Sequence, residues 1–540
     1  MSTKAVLTFK SPQTGIIGVS VVGGSFGTYM KWAGIDVVLI RGVAPKPSYM
    51  YIAEDTVEIR DAAKLWGRGA IESEDILKKE LGSSASVLTI GPAGERLVRF
   101  SSINHDLGRQ AGRTGGGAVL GSKNLKAIAV KASRGELGYY DEEGLVKLVM
   151  EIHKKIKSNP ALRGYADQGT LDLDSPNTLG FFPTRYWRKV RMEGYESLRY
   201  EHLKGRVRKG TCIGCPIACH RIVDVETPKH ERVQVELDYE GIYAIAGLSE
   251  LRDLDAVSYI YRLVDDYGMD VISAGNVVAF AIEAYRAGKL QIGRRLDYGD
   301  PSSVMWLLEV IARREGVGDV LAEGVARAAE KLGLTDIAVH VKGLEPAGYD
   351  PRTLKGMVLS YAVSYRGACH LRLMGYHADL RGLGGGRFST SRDKVEVLVD
   401  LEERGVMYDS LPLCKFGRYI YDWNLMKDLL NLATGLNLSV SELKAASRRI
   451  INLVRVVNVG FGVSRDSDQL PGRFLREPVE YEGRQYVVTP EEVNSMLNTY
   501  YELRGWSANG LPKLGTLKDL GLIEIIESSA FREVLEVLKE

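Results

Sequence analysis

The sequence predicts an α+β protein of several domains, in which a β-rich N-terminal domain precedes two mainly α-helical domains. The chain has 540 residues, and at about 150 residues per domain this length suggests roughly three or four domains. Short β-like runs dominate the first quarter of the chain, and apolar residues recur at helical spacing from Asp141 onward. A glycine- and proline-rich stretch at residues 343–351 then separates two helical segments.

These changes of pattern define three predicted domains, at residues 1–135, 136–342 and 343–540. Short apolar or β-branched runs that end at glycine, proline or charge predict strands at residues 5–9, 37–41, 57–59, 87–90 and 127–130. Asp141 is a predicted N-cap, because an aspartate there precedes a run of apolar residues at helical spacing. Further helices are predicted at residues 254–267, 274–287, 304–314, 320–332, 394–403, 440–457 and 491–503.

Composition and charge exclude several classes of protein. Apolar residues make up 45% of the chain and charged residues 26%, which excludes a disordered chain. The 71 basic and 69 acidic side chains leave a net charge of +2, so we expect neither nucleic acid nor an anionic membrane as the main partner. Five cysteines are too few for a disulfide-stabilised secreted scaffold. The N-terminus has no signal-peptide pattern, and we therefore expect a cytoplasmic protein.

Three cysteines stand close together in the sequence. Cys212, Cys215 and Cys219 form a C-x2-C-x3-C run that ends in His220. An iron–sulfur cubane uses such soft ligands and takes a fourth thiolate from elsewhere in the chain. The two distant cysteines, at positions 369 and 414, are both candidates for that fourth ligand. A zinc site made of the three cysteines and His220 is the alternative.

A glycine-rich block at residues 107–126 carries four cations and indicates anion binding. Backbone N–H groups without side chains in the way, together with guanidinium groups, suit phosphate. The block nearly matches a nucleotide-binding P-loop, but Ser122 stands where that motif requires lysine. We therefore exclude a nucleoside triphosphatase. A glycine turn with solvated lysines is the simpler alternative.

Two acidic segments share the frame D-x-x-[G/P]-x-[D/C], at residues 265–270 and 409–414. Carboxylates at such helix ends can accept hydrogen bonds from a polar ring system, although solvated helix caps are the common alternative. Residues 366–372 place two arginines and His370 together, and a structural histidine is the alternative there. Glu240 has apolar neighbours, so burial would raise its pKa toward that of a useful base unless the side chain is exposed.

Together these segments resemble one family, the tungsten-containing aldehyde ferredoxin oxidoreductases. The resemblance runs through nearly the whole chain in order, and the glycine block and the cysteine run are its specific motifs. The other matching segments are residues 10–15, 23–27, 33–34, 90–95, 239–240, 267–270, 342–345, 349–351 and 366–372.

The resemblance implies that an aldehyde is oxidised to the carboxylic acid at tungsten, which the dithiolene sulfurs of two pterins hold at the domain interfaces. It implies a [4Fe–4S] cluster on Cys212, Cys215, Cys219 and Cys414 that passes electrons to ferredoxin. Glu240 and His370 would flank the tungsten. A magnesium ion between the pterin phosphates and a homodimer are further implications. The residues that would contact the pterins or complete the pocket are Gly23, Arg109, Gln110, Gly112, Asp265, Gly268, Met269, Asp270, Arg366, Arg372, Asp409, Leu413 and Lys415.

Several departures from the family pattern bear on activity. The family normally has a further N-terminal segment with an arginine that bridges cluster and pterin, and here the matching region begins at Lys10, so we expect that arginine to be absent. Val21 and Val22 replace a polar pair, Pro412 replaces a glycine and Asp238 replaces a glutamate. The alternatives are a truncated or degenerate relative that serves as an iron–sulfur or zinc scaffold or electron carrier, and a related tungsten reductase of another substrate, such as an aromatic thioester.

Overall fold

Most strands lie in the first quarter of the chain. The structure is a computed structural model that describes residues 1, 3–53, 56–135, 137–228 and 230–539. Within these ranges the strands are β1 (Ala5–Lys10), β2 (Ile17–Val22), β3 (Ser48–Ala53), β4 (Thr56–Asp61), β5 (Ala85–Thr89), β6 (Ile103–His105), β7 (Arg109–Ala111), β8 (Leu125–Lys131), β9 (Val207–Gly210), β10 (His220–Glu226), β11 (Arg232–Glu236), β12 (Val479–Tyr481) and β13 (Arg484–Tyr486).

The main sheet has six strands in the order β4-β3-β8-β5-β6-β7. Strands β3 and β8 run parallel, and the other neighbouring strands run antiparallel. Successive side chains of a strand point to opposite faces, so Met50 and Ile128 belong to one apolar cluster, and Tyr49 and Ala127 belong to another. The sheet is therefore covered on both faces. Four of the five predicted N-terminal strands are confirmed, at residues 5–9, 57–59, 87–90 and 127–130.

The strand predicted at residues 37–41 is wrong, because no other described strand pairs with this segment. Its side chains do alternate in burial. Val38 and Ile40 pack against the cluster on one face of the sheet, whereas Val37 is 83% and Leu39 is 72% exposed. The alternation of apolar residues indicated which side chains face the core, and it did not indicate hydrogen bonding to a neighbour.

Helices dominate the chain after residue 141. Asp141 caps the first long helix as predicted, because its side chain accepts a hydrogen bond from the Gly144 N–H (2.9 Å). The predicted helices are confirmed except at residues 320–332, where Gly324 (φ +83°) separates two shorter helices. The α-helices are α1 (Phe26–Trp32), α2 (Ala70–Leu81), α3 (Pro92–Glu95), α4 (Gly116–Gly121), α5 (Glu142–Ser158), α6 (Pro160–Gln168), α7 (Asp174–Thr178), α8 (Tyr239–Ile242), α9 (Leu254–Tyr267), α10 (Val271–Arg286), α11 (Pro301–Arg313), α12 (Val317–Leu321), α13 (Val325–Leu332), α14 (Gly356–Val363), α15 (Gly375–Leu380), α16 (Arg392–Ser410), α17 (Trp423–Thr434), α18 (Val440–Gly460), α19 (Gly472–Arg476), α20 (Pro490–Arg504), α21 (Leu514–Asp519), α22 (Ile523–Glu527) and α23 (Val534–Val537).

The two helical segments share one large apolar core, which contains side chains from both sides of residues 343–351. The division into three domains therefore stays a prediction, and two of its limits, residues 136 and 540, lie outside the described residues. None of the described helices has both the length and the apolar character needed to cross a bilayer.

Both acidic segments contact the N-terminal part of the chain. The Asp270 N–H donates to the Phe100 carbonyl oxygen (2.9 Å), and the Gly268 carbonyl oxygen accepts from the Ser102 N–H (2.8 Å). At the other segment, the Cys414 N–H donates to the carbonyl oxygen of Met1 (3.0 Å). The cysteine run connects β9 to β10 in a three-stranded antiparallel sheet completed by β11.

Candidate active site

Four of the five cysteines line one small cavity. Cys212, Cys215, Cys219 and Cys414 all contribute to its wall, so the cysteine run and the second acidic segment meet there. All five cysteines are free thiols. The fifth, Cys369, has other neighbours, because its Sγ accepts hydrogen bonds from Arg366 Nη2 (3.0 Å) and from the Leu371 N–H (3.3 Å).

Two cations face the cysteine cavity, Lys4 and Arg109. Burial alone would raise the pKa of the Cys212 thiol, but the two positive charges and the Gly24 N–H, which donates to its Sγ (3.2 Å), bring that pKa below its usual value. Burial raises the pKa of Cys219 to about 12. Since a bound metal ion deprotonates the thiols that coordinate it, these four side chains fit a metal centre.

No sequence motif indicated that Lys4 belongs to the site. A Cβ atom on Gly23 would lie 2.6 Å from Lys4 Nζ and 3.0 Å from Cys212 Sγ, so only glycine at position 23 lets the ammonium approach the thiol this closely. A single lysine ahead of a strand carries no motif that would reveal this contact. The structure thus supplies positive charge beside the cysteines.

Glu240 and His370 form a buried pair, with 3.4 Å between Glu240 Oε1 and His370 Nε2. Burial raises the pKa of Glu240 to about 8, although the Gly348 N–H donates to its Oε2 (3.0 Å) and opposes the rise. Burial and the neighbouring arginines, Arg113 first among them, hold the pKa of His370 well below its usual value. At neutral pH both side chains are therefore uncharged.

The first acidic segment continues from α9 into α10. Gly268 ends α9 in the left-handed conformation (φ +74°), and a Cβ atom there would lie 2.6 Å from the Gly91 nitrogen. Asp265 accepts a hydrogen bond from Gln110 Nε2. Burial raises the pKa of Asp265 well above its usual value, and the negative charge of Glu236 adds to the rise.

Asp270, at the other end of this segment, has a structural role. Its side chain caps α10 by accepting from the Ile272 N–H (3.2 Å), and it pairs with Arg113 Nε (3.2 Å). Met269 is fully buried. Gly112 lies near Asp270, and a Cβ atom on it would make only ordinary contacts.

The second acidic segment is strongly charged. Asp409 pairs with Arg372 Nη1 and with Lys415 Nζ, the latter at 3.0 Å. Burial opposes ionisation of Asp409, but these two cations lower its pKa below the usual value. Burial lowers the pKa of Lys415 to about 8. Leu413 is buried, and its N–H donates to the Tyr408 carbonyl oxygen (2.7 Å).

Arg109 forms an ion pair within the protein. Its Nη2 lies 2.8 Å from Glu236 Oε1, and its Nε donates to His220 Nδ1 (2.9 Å). The structure therefore places Arg109 in the wall of the cysteine cavity, whereas Gln110, one residue later in β7, reaches Asp265 of the first acidic segment.

Arg113 joins three segments and was not singled out in the sequence. Besides the contact with Asp270, its Nη1 donates to the Ala368 carbonyl oxygen (2.7 Å) and its Nη2 to that of Glu345. It thereby fixes the chain that leads into His370. The glycine-rich block was the available signal, because it contains Arg113 among its four cations.

Seven of the predicted site residues carry buried polar atoms that have no hydrogen-bond partner among the described residues, although two of these atoms, Arg109 Nη2 and Asp409 Oδ1, lie in ion pairs. Leaving such an atom unpaired costs about 1–3 kcal/mol, so a native protein rarely tolerates several of them in one region. The clustering of these unpaired polar atoms at the predicted site fits a binding site for a polar ligand. The other five atoms are Glu240 Oε1, Asp265 Oδ2, Arg366 Nε, His370 Nδ1 and Arg372 Nε.

Two family models match the chain. The model of the aldehyde ferredoxin oxidoreductase N-terminal domain matches residues 1–132, and that of domains 2 and 3 of the same family matches residues 147–522.

Individual proteins of known identity are also similar to this chain. A tungsten-containing aldehyde ferredoxin oxidoreductase of Pyrococcus furiosus is 35% identical over 539 residues, which cover 95% of this chain and 86% of the relative. The WOR-like subunit of an aliphatic sulfonate oxidoreductase of the same organism is 31% identical over 576 residues, covering 99% and 87%.

A solved structure is similar along almost the whole chain. It is the active site complex BamBC of benzoyl coenzyme A reductase with 1,5-dienoyl-CoA, with a TM-score of 0.83, 26% identity, and coverage of 97% of this chain and 88% of that chain. The family models, the near full-length relatives and this fold agree with one another, and the chain belongs to the aldehyde ferredoxin oxidoreductase family of oxidoreductases.

Proposed function

We propose that this protein oxidises an aldehyde to the carboxylic acid and passes the electrons through a [4Fe–4S] cluster to ferredoxin. One aldehyde and one water give one carboxylic acid, two protons and two electrons. The observation that carries the proposal is the meeting of Cys414 with the other three cysteines in one cavity. Four thiols are the ligand set of a cubane cluster, and their convergence favours a cluster over zinc bound by three cysteines and His220.

The residues of the acidic segments fit two pterins. The unpaired atoms of Asp265 and Arg366 offer an acceptor and a donor to a polar heterocycle, and Lys415 with Arg372 supplies positive charge for phosphate. The tungsten–pterin group, when bound, supplies a Lewis acid and the acceptor of the electron pair. A magnesium ion between the pterin phosphates and a homodimer stay predictions from the resemblance.

Glu240 is the proposed general base. Its carboxylate form removes a proton from the attacking water, and a raised pKa makes that carboxylate a stronger base once it is ionised. The neutral imidazole of His370 donates a hydrogen bond from one ring nitrogen to the substrate oxygen as negative charge develops there. The 3.4 Å between the two side chains lets both reach one small substrate.

The test is aldehyde-dependent reduction of methyl viologen by the anaerobically purified holoenzyme, followed by reduction of ferredoxin. We expect turnover with aldehydes, and we expect Glu240→Gln to lower kcat by about 10²-fold or more. Glu309→Gln, which removes a half-exposed surface carboxylate, is the matched control and should leave kcat unchanged. Turnover of an aromatic thioester with reduced viologen, and none with any aldehyde, would overturn the proposal in favour of a reductase.

A further inference from the structure

The main sheet has one long exposed edge, strand β4. β7, at the opposite edge, has only three residues. β4 has six residues that pair with β3 in unbroken register, and no other described strand pairs with it. Proline, lysine and β-bulges often protect the edges of natural sheets from pairing with another chain. β4 has none of these, so its edge is open to a further strand.

The direction of the backbone groups shows which residues of β4 could pair with that strand. The Ala62 N–H, just after β4, donates to the Pro47 carbonyl oxygen (2.9 Å) ahead of β3. Backbone groups alternate in direction along an antiparallel strand, so every second residue before Ala62 also faces β3. The residues between them direct their N–H and C=O groups outward. These are Val57, Ile59 and Asp61.

Two exposed apolar side chains lie along this edge. Val57 is 64% and Ile59 is 58% exposed. They stand opposite Ile52 and Met50 of β3, and directly opposite residues share one face of a sheet. Val57 and Ile59 therefore extend the apolar cluster that contains Met50 and Ile52 to the margin of the sheet. A strand added to β4 would cover both side chains.

The charges of β4 select one way for it to pair with a copy of itself. Around a two-fold axis, the alternation of the backbone permits antiparallel pairings centred on Glu58, Ile59 or Arg60, and centres nearer the strand ends pair fewer residues. A centre on Glu58 or Arg60 places two like charges opposite each other, which is destabilising. A centre on Ile59 places Glu58 of each copy opposite Arg60 of the other. It also brings the outward backbone groups of the two Ile59 residues together.

We propose that β4 is a dimerisation edge, to which β4 of a second copy of this chain adds antiparallel with Ile59 opposite Ile59. The two six-stranded sheets then join into one continuous sheet. Val57 and Ile59 of both copies form an apolar strip on one face. On the other face, Arg60 Nε already lies 2.8 Å from Glu58 Oε2 of its own chain, and the two ion pairs join in one network of alternating charge. No residue of β4 lines the cysteine cavity, so the inference is independent of the proposed reaction.

The first experiment is sedimentation velocity of the holoenzyme between about 1 and 100 µM. We expect a dimer whose fraction rises with concentration. Glu58→Arg and Arg60→Glu each place like charges opposite one another and should weaken dimerisation by about tenfold or more. The double variant that carries both changes restores opposite charges and should return to within about threefold of wild type.

Glu143→Arg is the matched control for the charge reversals. It makes the same change of charge as Glu58→Arg at a highly exposed side chain of α5, and it should leave dimerisation unchanged. Iron and tungsten contents equal to those of wild type show that each variant is folded.

Cysteine variants test the register of the pairing. Residues in a hydrogen-bonded antiparallel pair have Cα atoms about 5.5 Å apart, so a thiol-reactive cross-linker of about that length should join the two copies of Ile59→Cys. Val57 lies four residues away from its own copy along the paired strands, at about 14 Å. Val57→Cys should therefore stay unlinked, and wild-type holoenzyme gives the background.

Three results would overturn the inference. A monomer at every concentration would show that β4 does not pair with a second copy and would leave its edge to a strand of another protein. A dimer that both single charge reversals leave intact would place the interface elsewhere on the chain. Cross-linking of Val57→Cys without cross-linking of Ile59→Cys would contradict the register.

Discussion

The two acidic segments share a sequence frame but lie in opposite electrostatic environments. Asp265 begins the first and Asp409 the second, and each lies in the last turn of a long helix, α9 or α16. Burial and neighbouring acids raise the pKa of Asp265, whereas Arg372 and Lys415 lower that of Asp409. The local frame thus positions the carboxylate, and residues from other parts of the chain decide whether it is charged.

The segments also differ at their last position. Asp270 caps the next helix and pairs with Arg113, whereas Cys414 joins the three cysteines of the run between β9 and β10. The first segment is therefore equipped for neutral polar contacts, and the second for charge and metal ligation. Single substitutions at matching positions of the two segments test this difference.

The largest effect is expected at the last position. Cys414→Ala removes one of four thiols, so iron should fall from about four per chain toward zero, and viologen reduction should be lost with it. Asp270→Asn, at the matching position of the first segment, should keep its iron. Iron analysis of both purified variants measures the difference, and a Cys414→Ala protein with its full iron content would refute the assignment.

The next effect is on stability and comes from the first position. Asp409→Asn leaves Arg372 and Lys415 buried without their carboxylate and should destabilise the fold by about 3–5 kcal/mol. Asp265→Asn should cost less stability than Asp409→Asn, because burial and the neighbouring acids already disfavour the charged form of Asp265 and raise its pKa. Chemical unfolding of both variants provides the comparison. Equal losses of unfolding free energy in the two variants would show that the electrostatic environments of Asp265 and Asp409 do not differ as described.

Protonation of Asp265 also predicts how stability depends on pH. Wild-type protein holds this proton at pH values where the unfolded chain has released it, so folding becomes less favourable as pH rises. Asp265→Asn should therefore gain stability relative to wild type from pH 5 to pH 8. A constant difference across that range would contradict the raised pKa.

Burial raises the pKa of Glu240, as it does that of Asp265, and the pKa of Glu240 is about 8. If its carboxylate is the base, kcat/KM should rise about tenfold per pH unit below that value and level off above it. Glu240→Gln should lose this dependence together with most of its rate. A wild-type profile that is flat between pH 6 and pH 9 would exclude Glu240 as the base.

The smallest effect is expected at Gly268. Alanine there must adopt a positive φ and approach the Gly91 nitrogen to 2.6 Å, which should cost about 1–3 kcal/mol. Gly34→Ala is the matched control, because Gly34 has nearly the same φ (+73°) and a Cβ atom on it would meet no other atom within 4 Å. The difference in unfolding midpoint between Gly268→Ala and Gly34→Ala measures the cost of the close approach to Gly91 alone. Equal midpoints would show that the two backbone segments do not lie so close together.

Features that depend on short spacings could be predicted from the sequence. The cysteine run, the two acidic frames and the N-cap at Asp141 are each complete within a few residues. The long helices also followed from their apolar period, except where Gly324 interrupts one. The strand expected at residues 37–41 failed because a strand needs a neighbour, and a single run of residues does not specify one.

Contacts between distant segments could not be predicted in this way. Lys4 lies beside Cys212 only because β1 enters the region next to the cysteine run. Arg418 follows Cys414 by four residues, yet it contacts Tyr165 and Tyr376, which are remote from it in sequence. The fourth cysteine followed from the family resemblance, because spacing alone left positions 369 and 414 open.

The central claim is that four cysteines hold a cluster beside a tungsten–pterin group. Elemental and pterin analysis of the anaerobically purified full-length chain tests it most directly. We expect iron close to about four and tungsten close to about one per chain, with pterin present. Zinc without pterin, or iron without tungsten, would contradict the account.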